Sequence, residues 1–208
     1  MPETEPWISV TATGEASMAP DLALVRFGVT RTGKELAPTR DEVNTRSSAV
    51  LTRLRDLGID EGDVNAPDVE IQPEYAYRRG QKLIGYRVAR HITARVRDLD
   101  RLGDVLDGIL AAGANEVQGA EMTASDPSAA EHAALSTAVL AARAKAAAIA
   151  DAAGVTLGAL VRVEEADDMG MPQPKMRMMA MESADAATEV VAGDLTVTRR
   201  IRAWFALA

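Results

Sequence analysis

Residues 82–114, KLIGYRVARHITARVRDLDRLGDVLDGILAAGA, change from a strand pattern to a helix pattern within one short stretch. Up to Val96 apolar and polar residues alternate, which is typical of a half-buried β-strand. From Asp98 onward the apolar residues recur at helical spacing, and Gly113 follows the last of them, as glycine commonly does after a helix. The stretch therefore predicts a strand followed by a helix. The predicted helical face consists of Leu99, Leu102, Val105, Leu106, Ile109 and Leu110.

Strand patterns also occur on both sides of this stretch. Residues 22–29 alternate, with a slip near Val25-Arg26 that indicates a β-bulge. Residues 63–77 are extended, and the turn residues 78–81 join them to the strand at residue 82, which predicts a long hairpin. Residues 193–208 alternate again, so we expect the chain to end in a sheet.

Two further helices are predicted from helical spacing. The first covers residues 37–57 and ends at Gly58, with Thr39 and Glu42 at the spacing of a capping box. Its apolar stripe is Val43, Ser47, Val50, Leu54 and Leu57. The other begins at Asp126-Pro127 and runs to Gly154. Its predicted stripe is Leu135, Val139, Ala142, Ala146, Ile149 and Ala153.

Together these elements predict an α+β fold, in which a mostly antiparallel sheet made of strand hairpins is covered by three main helices. Residues 22–73 and 83–124 each follow the order strand, helix, strand, which indicates an internal duplication. A length of 208 residues fits a single domain over residues 1–208.

Composition excludes several classes of function. The net charge is −8 and the basic residues are scattered, so we expect no nucleic-acid partner. The chain has no cysteine, which excludes disulfides, thiol catalysis and thiolate metal sites. The apolar run 133–153 contains charged residues, so no transmembrane segment is predicted. Residues 1–10 lack a signal-peptide pattern, which predicts a cytoplasmic protein; the alternative is an exported, periplasmic protein whose signal peptide has been removed.

Several segments in order resemble the SIMPL domain family: TGEASMAPDLALVRFGVT, the hairpin and helix of residues 73–119, AALSTAVLAARAKAAAIADAAGVTLGALVRVEE, and AGDLTV. The resemblance covers essentially the whole chain. It implies a protein with no established enzymatic reaction and no catalytic residues to carry over. It also implies envelope relatives, some linked to oxidative stress, and in one case a channel-like ring of many subunits.

The Met-rich segment MGMPQPKMRMMAM, residues 169–181, is the sharpest candidate site. Thioether sulfurs suit Cu(I), and the spacing of Met176, Met178, Met179 and Met181 would bring several of them to one ion. The segment has no Cys or His and is flanked by prolines and polar residues, so a flexible insertion over residues 167–190, or an adaptable subunit contact, is the favoured interpretation.

Titratable residues offer little chemistry. His91 and His132 have no evident acid or nucleophile partner, so we interpret both as surface residues. Two acidic clusters, Asp60-Glu61-Gly-Asp63 and Glu164-Glu165-Ala-Asp167-Asp168, lack the spacing of a calcium loop, and we interpret both as solvated turns. We therefore predict no catalytic, cofactor-binding or metal-binding residue and no enzyme activity.

The helix over residues 127–153 is rich in alanine on every side. A helix that buries one stripe does not need small residues all round, which indicates a second packing surface such as another subunit. We therefore predict a non-enzymatic, self-assembling protein that acts through protein interaction and is related to stress. The alternative is a module that binds a small ligand or Cu(I) through the Met-rich loop or a cleft between sheet and helix.

Overall fold

A computed structural model describes residues 6–76, 82–166, 173–174 and 193–208. Its elements in chain order are β1 (Trp7–Met18), β2 (Leu22–Gly33), α1 (Leu36–Asp56), β3 (Val64–Asn65), β4 (Glu70–Ala76), β5 (Lys82–Val96), α2 (Leu102–Ala111), β6 (Glu116–Thr123), α3 (Ser128–Ala153), β7 (Leu157–Glu165), β8 (Gln173–Pro174) and β9 (Leu195–Leu207). Short 3-10 turns occur at Glu61–Asp63 and Leu99–Arg101. The predicted α+β fold is confirmed.

The described residues form two compact units, each with its own sheet. The terminal unit contains residues 6–20, 124–166, 173–174 and 193–208, and thus the strands next to both chain ends. The central unit contains residues 21–76 and 82–123. That residues 1–208 make a single domain stays a prediction.

The sheet of the central unit has the strand order β3-β5-β2-β6. Strand β4 pairs with the same edge of β5 as β3 does, but nearer the start of β5. Every pairing is antiparallel. The two strand–helix–strand repeats are β2–α1–β4 and β5–α2–β6, and each repeat has a strand of the other between its own two strands. This arrangement is the split βαβ, or ferredoxin-like, pattern. The repeat seen in the sequence therefore corresponds to the two interleaved halves of one sheet.

Helix α1 buries the stripe that the sequence predicts: Val43, Ser47, Val50, Leu54 and Leu57. The predicted capping box is wrong, because the helix begins at Leu36 and Glu35 is its N-cap residue without a side-chain cap. The Thr39 hydroxyl lies inside the helix and donates to the Glu35 carbonyl at 2.6 Å. On α2, Leu110 is exposed, so the predicted face is one residue too wide.

The β-bulge lies next to the predicted position at Val25-Arg26, but the extra residue belongs to β6 and not to β2. The inner row of β2, from Ala23 to Val29, is buried at every second residue without a slip. The shift lies in β6, where Arg26 faces Gly119 while the next residue of β2 faces Val117. Gly119 has a φ of 118°, a conformation that favours glycine.

Asn115 extends the pairing of β2 beyond the start of β6. Its Oδ1 accepts from the Thr30 backbone N–H and its Nδ2 donates to the Thr30 carbonyl, both at 2.8 Å. Its own backbone N–H donates to the Gly28 carbonyl at 3.0 Å. The side-chain amide thus replaces one residue of a neighbouring strand, which satisfies backbone groups that would otherwise need water.

The terminal unit has a sheet of order β1-β9-β7, with β8 paired to the first residues of β9. Strands β1 and β9 pair along their whole length, from Trp7 opposite Ala206 to Met18 opposite Leu195. The sheet therefore joins the two ends of the chain.

Helix α3 packs on this sheet with alanine alone as its fully buried stripe. The buried residues recur at every fourth position: Ala130, Ala134, Ala138, Ala142, Ala146 and Ala150. The predicted stripe shares only Ala142 and Ala146 with it, and Ile149 is 44% exposed. The reason is Gly14 of β1: a Cβ built there would lie 2.1 Å from the Ala134 carbonyl oxygen and 2.3 Å from the Ala138 nitrogen. The helix backbone touches the strand at this point, and only small side chains permit that approach.

By length and composition alone, α3 is the one helix among the described residues that could cross a membrane, with a window of mean hydropathy 1.4. Core helices of soluble proteins pass the same test, so this finding alone is weak evidence. The alanine stripe of α3 is buried on a sheet.

Candidate functional site

The outer face of the terminal sheet, opposite α3, carries both tryptophans of the chain. Val10, Ala12, Ile201, Ala203 and Phe205 are buried with α3 in the core, so the residues between them point to the other face. On that outer face Trp7 lies opposite Ala206, and Trp204 lies opposite Ser9. The two indoles are thus diagonal neighbours on adjacent strands, with the small Ala206 side chain beside both.

A groove of about 260 Å³ opens between these indoles. The lining residues are Pro6, Trp7, Val161, Arg162, Trp204 and Ala206. Trp7 is 52% exposed, although tryptophan is a residue that usually buries most of its surface. We call this feature the tryptophan groove.

Two guanidinium groups lie over the ring of Trp204, and one of them, that of Arg162, also lines the tryptophan groove. The carbon of each guanidinium, in Arg162 and Arg202, is 5.1 Å from the centroid of the Trp204 ring, within the range of a cation–π interaction. Arg162 also donates to a carboxylate oxygen of Glu164, while Arg202 Nε donates to the neutral Ser9 hydroxyl at 3.2 Å. The groove therefore combines aromatic surface with the guanidinium of Arg162, whose charge is paired with Glu164.

The inner face of β7 forms a second exposed feature. Leu160 lies opposite Phe205 and Val163 opposite Ala203, so both point to the side of the sheet that α3 covers. Phe205 and Ala203 are buried, yet Leu160 is 41% and Val163 42% exposed. Of the β7 side chains, only Leu157 packs against the core beneath α3. We call Leu160 and Val163 the β7 patch.

The Met-rich segment, residues 169–181, and the insertion predicted over 167–190 lie outside the described residues, except for Gln173–Pro174. The backbone of that pair forms strand β8 opposite Leu195 and Thr196. The Cu(I) hypothesis on Met176, Met178, Met179 and Met181 accordingly stays a prediction.

In the described part of the chain both histidines are exposed to solvent. His91 Nε2 is 3.9 Å from Glu70 Oε2, and both side chains are about half exposed. His132 is exposed in the first turns of α3. It lies near Asp126, whose pKa is lowered chiefly by the hydrogen bonds from Ser128, with His132 adding a smaller electrostatic effect.

The first acidic cluster differs from the solvated turn that the sequence predicts. Asp63 accepts two hydrogen bonds from Arg97, at 2.7 and 2.8 Å, and its side chain is only 10% exposed. The Arg97 guanidinium lowers the pKa of the Asp63 carboxyl through this pairing. Glu61 pairs with Arg55 at 3.2 Å. The cluster therefore fixes the 3-10 turn to the end of β5.

Arginines also pair with the described part of the second cluster. Glu164 pairs with Arg162, and Glu165 lies 3.5 Å from Arg199, while residues 167 and 168 lie outside the described residues. Arg199 is partly buried and also donates to Glu131 of α3. Within the described ranges, no three acidic or histidine side chains are grouped as metal ligands.

Sequence reasoning missed the tryptophan groove. Its two tryptophans stand near opposite ends of the chain, and only the pairing of β1 with β9 brings them together. One signal was available: the chain has just two tryptophans, and each falls in a terminal strand with an alternating pattern.

These observations define an α+β protein whose terminal unit carries two exposed features, the tryptophan groove and the β7 patch. The family model SIMPL, described as a protein of unknown function (DUF541), matches residues 8–205. The chain belongs to this family.

Curated relatives match over most of their length. A protein named 26 kDa periplasmic immunogenic protein, from Brucella abortus, is 32% identical over 90% of this chain and 79% of its own length. An uncharacterized protein named YggE, from Edwardsiella ictaluri, is 32% identical over 84% of this chain and 74% of its own. The YggE of Escherichia coli is 27% identical over 88% of this chain and 75% of its own.

Proposed function

We propose that this protein is non-enzymatic and assembles with further copies of itself, and that it acts through the surfaces of the assembly. The observation that carries the proposal is the β7 patch. Leu160 and Val163 continue the buried layer of Phe205 and Ala203, but α3 does not reach them. Exposed apolar side chains that lie next to a hydrophobic core are typical of a surface that another subunit covers.

We infer that the binding partner is a second copy of this chain, because the sheet of the terminal unit has two edge strands that are free to pair among the described residues. In the order β1-β9-β7, both β1 and β7 are outer strands, and among the described residues neither pairs with a further strand along its outer edge. An unpaired edge with exposed apolar residues readily pairs with another chain. Joining β1 of one copy to β7 of the next would satisfy both edges in one contact.

The test is the absolute mass in solution, measured by light scattering on a sizing column. We expect a discrete oligomer for the intact chain and a smaller species for the double variant L160R/V163R, because two charges would then be buried at the contact. The matched control is Val117→Arg, since Val117 is as exposed as the patch residues but lies in the central unit.

A monomeric intact chain would contradict the proposal, and so would an oligomer that L160R/V163R leaves unchanged. A chain lacking residues 169–181 shows whether the Met-rich segment takes part in the contact. If the protein is a monomer that holds one Cu(I) per chain in a copper titration followed by mass measurement, the ligand-binding alternative replaces self-assembly.

The name of the Brucella abortus relative supports a periplasmic location for this protein over the cytoplasmic one. Cell fractionation of the source organism, with an antibody against this protein, tests whether it is found in the periplasm or in the cytoplasm. A role in the stress response and a partner protein of another kind are further predictions, which follow from the family resemblance alone.

A further inference from the structure

A crevice of about 120 Å³ opens in the central unit where the turn after α1, the end of β5 and the start of α2 meet. Its buried lining residues are apolar: Leu57, Val96 and Val105 belong to the central core, and the partly buried Ile59 packs against them. At about 30 Å³ for each water molecule, the volume holds roughly four waters or a small organic ligand of similar size. We call this feature the α1–α2 crevice.

One wall of the α1–α2 crevice is a fixed ion pair. Asp63 and Arg97 both line it, and the Arg97 guanidinium donates two hydrogen bonds to the Asp63 carboxylate, at 2.7 and 2.8 Å. A carboxylate and a guanidinium paired in this way satisfy each other. The wall is therefore held in place without offering a net charge to a ligand.

Four further charged side chains line the crevice, and they are of both signs: Asp60, Asp98, Arg95 and Arg101. Among the described residues, no group of opposite charge lies within ion-pair distance of any of these four. Two carboxylates and two guanidinium groups thus stand around an apolar floor without neutralising one another by direct contact. An anion alone would also face the carboxylates, and a cation alone would also face the guanidinium groups. A ligand that carries both charges can pair with both.

The separation of Asp98 from Arg101 leaves a place for such a ligand. Asp98 precedes the 3-10 turn and Arg101 is its last residue, and the Arg101 backbone N–H donates to the Asp98 carbonyl at 3.2 Å. Their side chains nevertheless form no ion pair. The Arg101 guanidinium extends instead to the turn after α1, where its Nη1 lies 3.7 Å from a Cβ built on Gly58. One carboxylate and one guanidinium are therefore presented to the crevice from the same turn.

We propose that the α1–α2 crevice binds a free α-amino acid with a short apolar side chain. The ligand carboxylate accepts hydrogen bonds from the Arg101 guanidinium, and the ligand ammonium group donates to the Asp98 carboxylate. The ligand side chain covers the apolar floor, and the small volume excludes long side chains. The crevice lies in the central unit and the β7 patch in the terminal unit, so the site does not depend on self-assembly.

The experiment measures magnetisation transfer by NMR from the irradiated protein to the methyl protons of L-alanine, propionate or ethylamine. Each compound has one methyl group as its reporter. Propionate lacks the ammonium group of L-alanine, and ethylamine lacks the carboxylate. We expect saturable transfer to L-alanine with a dissociation constant on the order of a millimolar, and binding about tenfold weaker for the other two. L-tryptophan should not displace L-alanine, because its side chain exceeds the crevice.

Two variants locate the binding site, and each has a matched control. Asp98→Asn and Arg101→Gln should each weaken L-alanine binding about tenfold, because each removes one charged partner. The controls are Asp100→Asn, an exposed carboxylate between those two residues, and Arg87→Gln, an exposed arginine of β5. Neither control residue lines the crevice, so both variants should bind L-alanine like the natural chain.

Equal transfer to L-alanine, propionate and ethylamine would overturn the proposal, because it would indicate non-specific surface contact. Propionate binding as tight as that of L-alanine would also overturn it and would make the crevice an anion site. The same conclusion against the proposal follows if the Asp98→Asn and Asp100→Asn variants bind L-alanine equally. Unchanged circular dichroism in each variant establishes that lost binding does not come from lost folding.

Discussion

The two units of this protein cover a sheet with a helix in opposite ways. In the central unit, α1 packs large side chains such as Leu54 against Phe27 and Ile92, which are among the largest fully buried residues of the structure. In the terminal unit, α3 buries a stripe of alanines, and β1 presents Gly14 where the helix touches it. One core depends on side-chain volume, and the other depends on close approach of backbones.

The two units should therefore be destabilised by opposite kinds of substitution. Replacing a large side chain by a smaller one should lower the free energy of unfolding of the central unit, because the void left behind loses many packing contacts. Replacing a small residue by a larger one should lower the free energy of unfolding of the terminal unit, because α3 and β1 have no room between them for additional side-chain atoms.

The largest effect is expected from Phe27→Ala, which should lower the free energy of unfolding by about 3–5 kcal/mol because it leaves a cavity in the central core. The matched deletion in the terminal unit is Ala138→Gly, which should cost only about 1 kcal/mol, the ordinary price of glycine in a helix. Urea unfolding followed by circular dichroism measures both. Equal losses would show that the alanine stripe is as sensitive to deletion as the large core.

Gly14→Ala is the opposite kind of change and should cost about 3 kcal/mol, since its new methyl group would overlap the α3 backbone at 2.1 Å. Tryptophan emission during urea unfolding is the measurement, because both tryptophans lie in the terminal unit. The control is Gly62→Ala in the central unit, where an added Cβ meets nothing within 4 Å. If the two variants unfold at the same urea concentration, α3 does not depend on close approach.

Large side chains made the central unit predictable from sequence, and alanine made the terminal unit hard to predict. The stripe from Val43 to Leu57 stands out against polar neighbours, so its period identifies the buried face of α1. Fourteen of the 26 residues of α3 are alanine, so its hydrophobic pattern has little contrast. The few large residues, such as Ile149, then suggest the wrong face, because the buried face is decided by the fit to Gly14.

Both candidate surfaces of the terminal unit depend on strand pairings that periodicity cannot show. The position of β7 outside β9 and beyond the reach of α3 comes only from the sheet order. The pairing that brings the two tryptophans together spans almost the whole chain. Local patterns predict elements, whereas these surfaces arise from contacts between distant elements.

A smaller effect is expected from Asp63→Asn, which replaces the charged hydrogen bonds to Arg97 and should cost about 1.5 kcal/mol at neutral pH, because solvent screens the exposed Arg97. The pairing lowers the pKa of Asp63 in the folded state, so its stabilisation is complete above the unfolded pKa of about 3.9 and is lost as the pH falls through the folded pKa. Urea unfolding at pH 7 and below pH 4 tests both parts.

The natural chain should lose stability over that acidic range more steeply than the Asp63→Asn variant does. Asp60→Asn is the control, because Asp60 is exposed and influences Arg97 only at longer range. Parallel pH profiles for the natural chain and the Asp63→Asn variant would contradict the proposed contribution of the ion pair.

The smallest effect is expected from Asn115→Ala, at about 1 kcal/mol, because two hydrogen bonds to Thr30 are replaced by bonds to water at an exposed position. Hydrogen exchange should rise at the Thr30 amide in particular. The exposed Asn65 provides the control through Asn65→Ala, which should leave that amide protected. An unchanged Thr30 amide in the Asn115→Ala variant would show that the side chain does not hold the strand.

The hydrogen bond from the Asp21 N–H to the Thr123 carbonyl, at 3.2 Å, places the first and last residues of the central unit side by side. All described strands of that unit have therefore been synthesised once residue 123 has been added, and the unit can begin to fold when they have emerged from the ribosome. Of the described strands, β1 is synthesised first and its partner β9 last. During most of synthesis β1 lacks β9, the strand that pairs with it in the finished sheet. The nascent chain therefore has to keep this edge of β1 from pairing wrongly for longer than the edge of any other described strand.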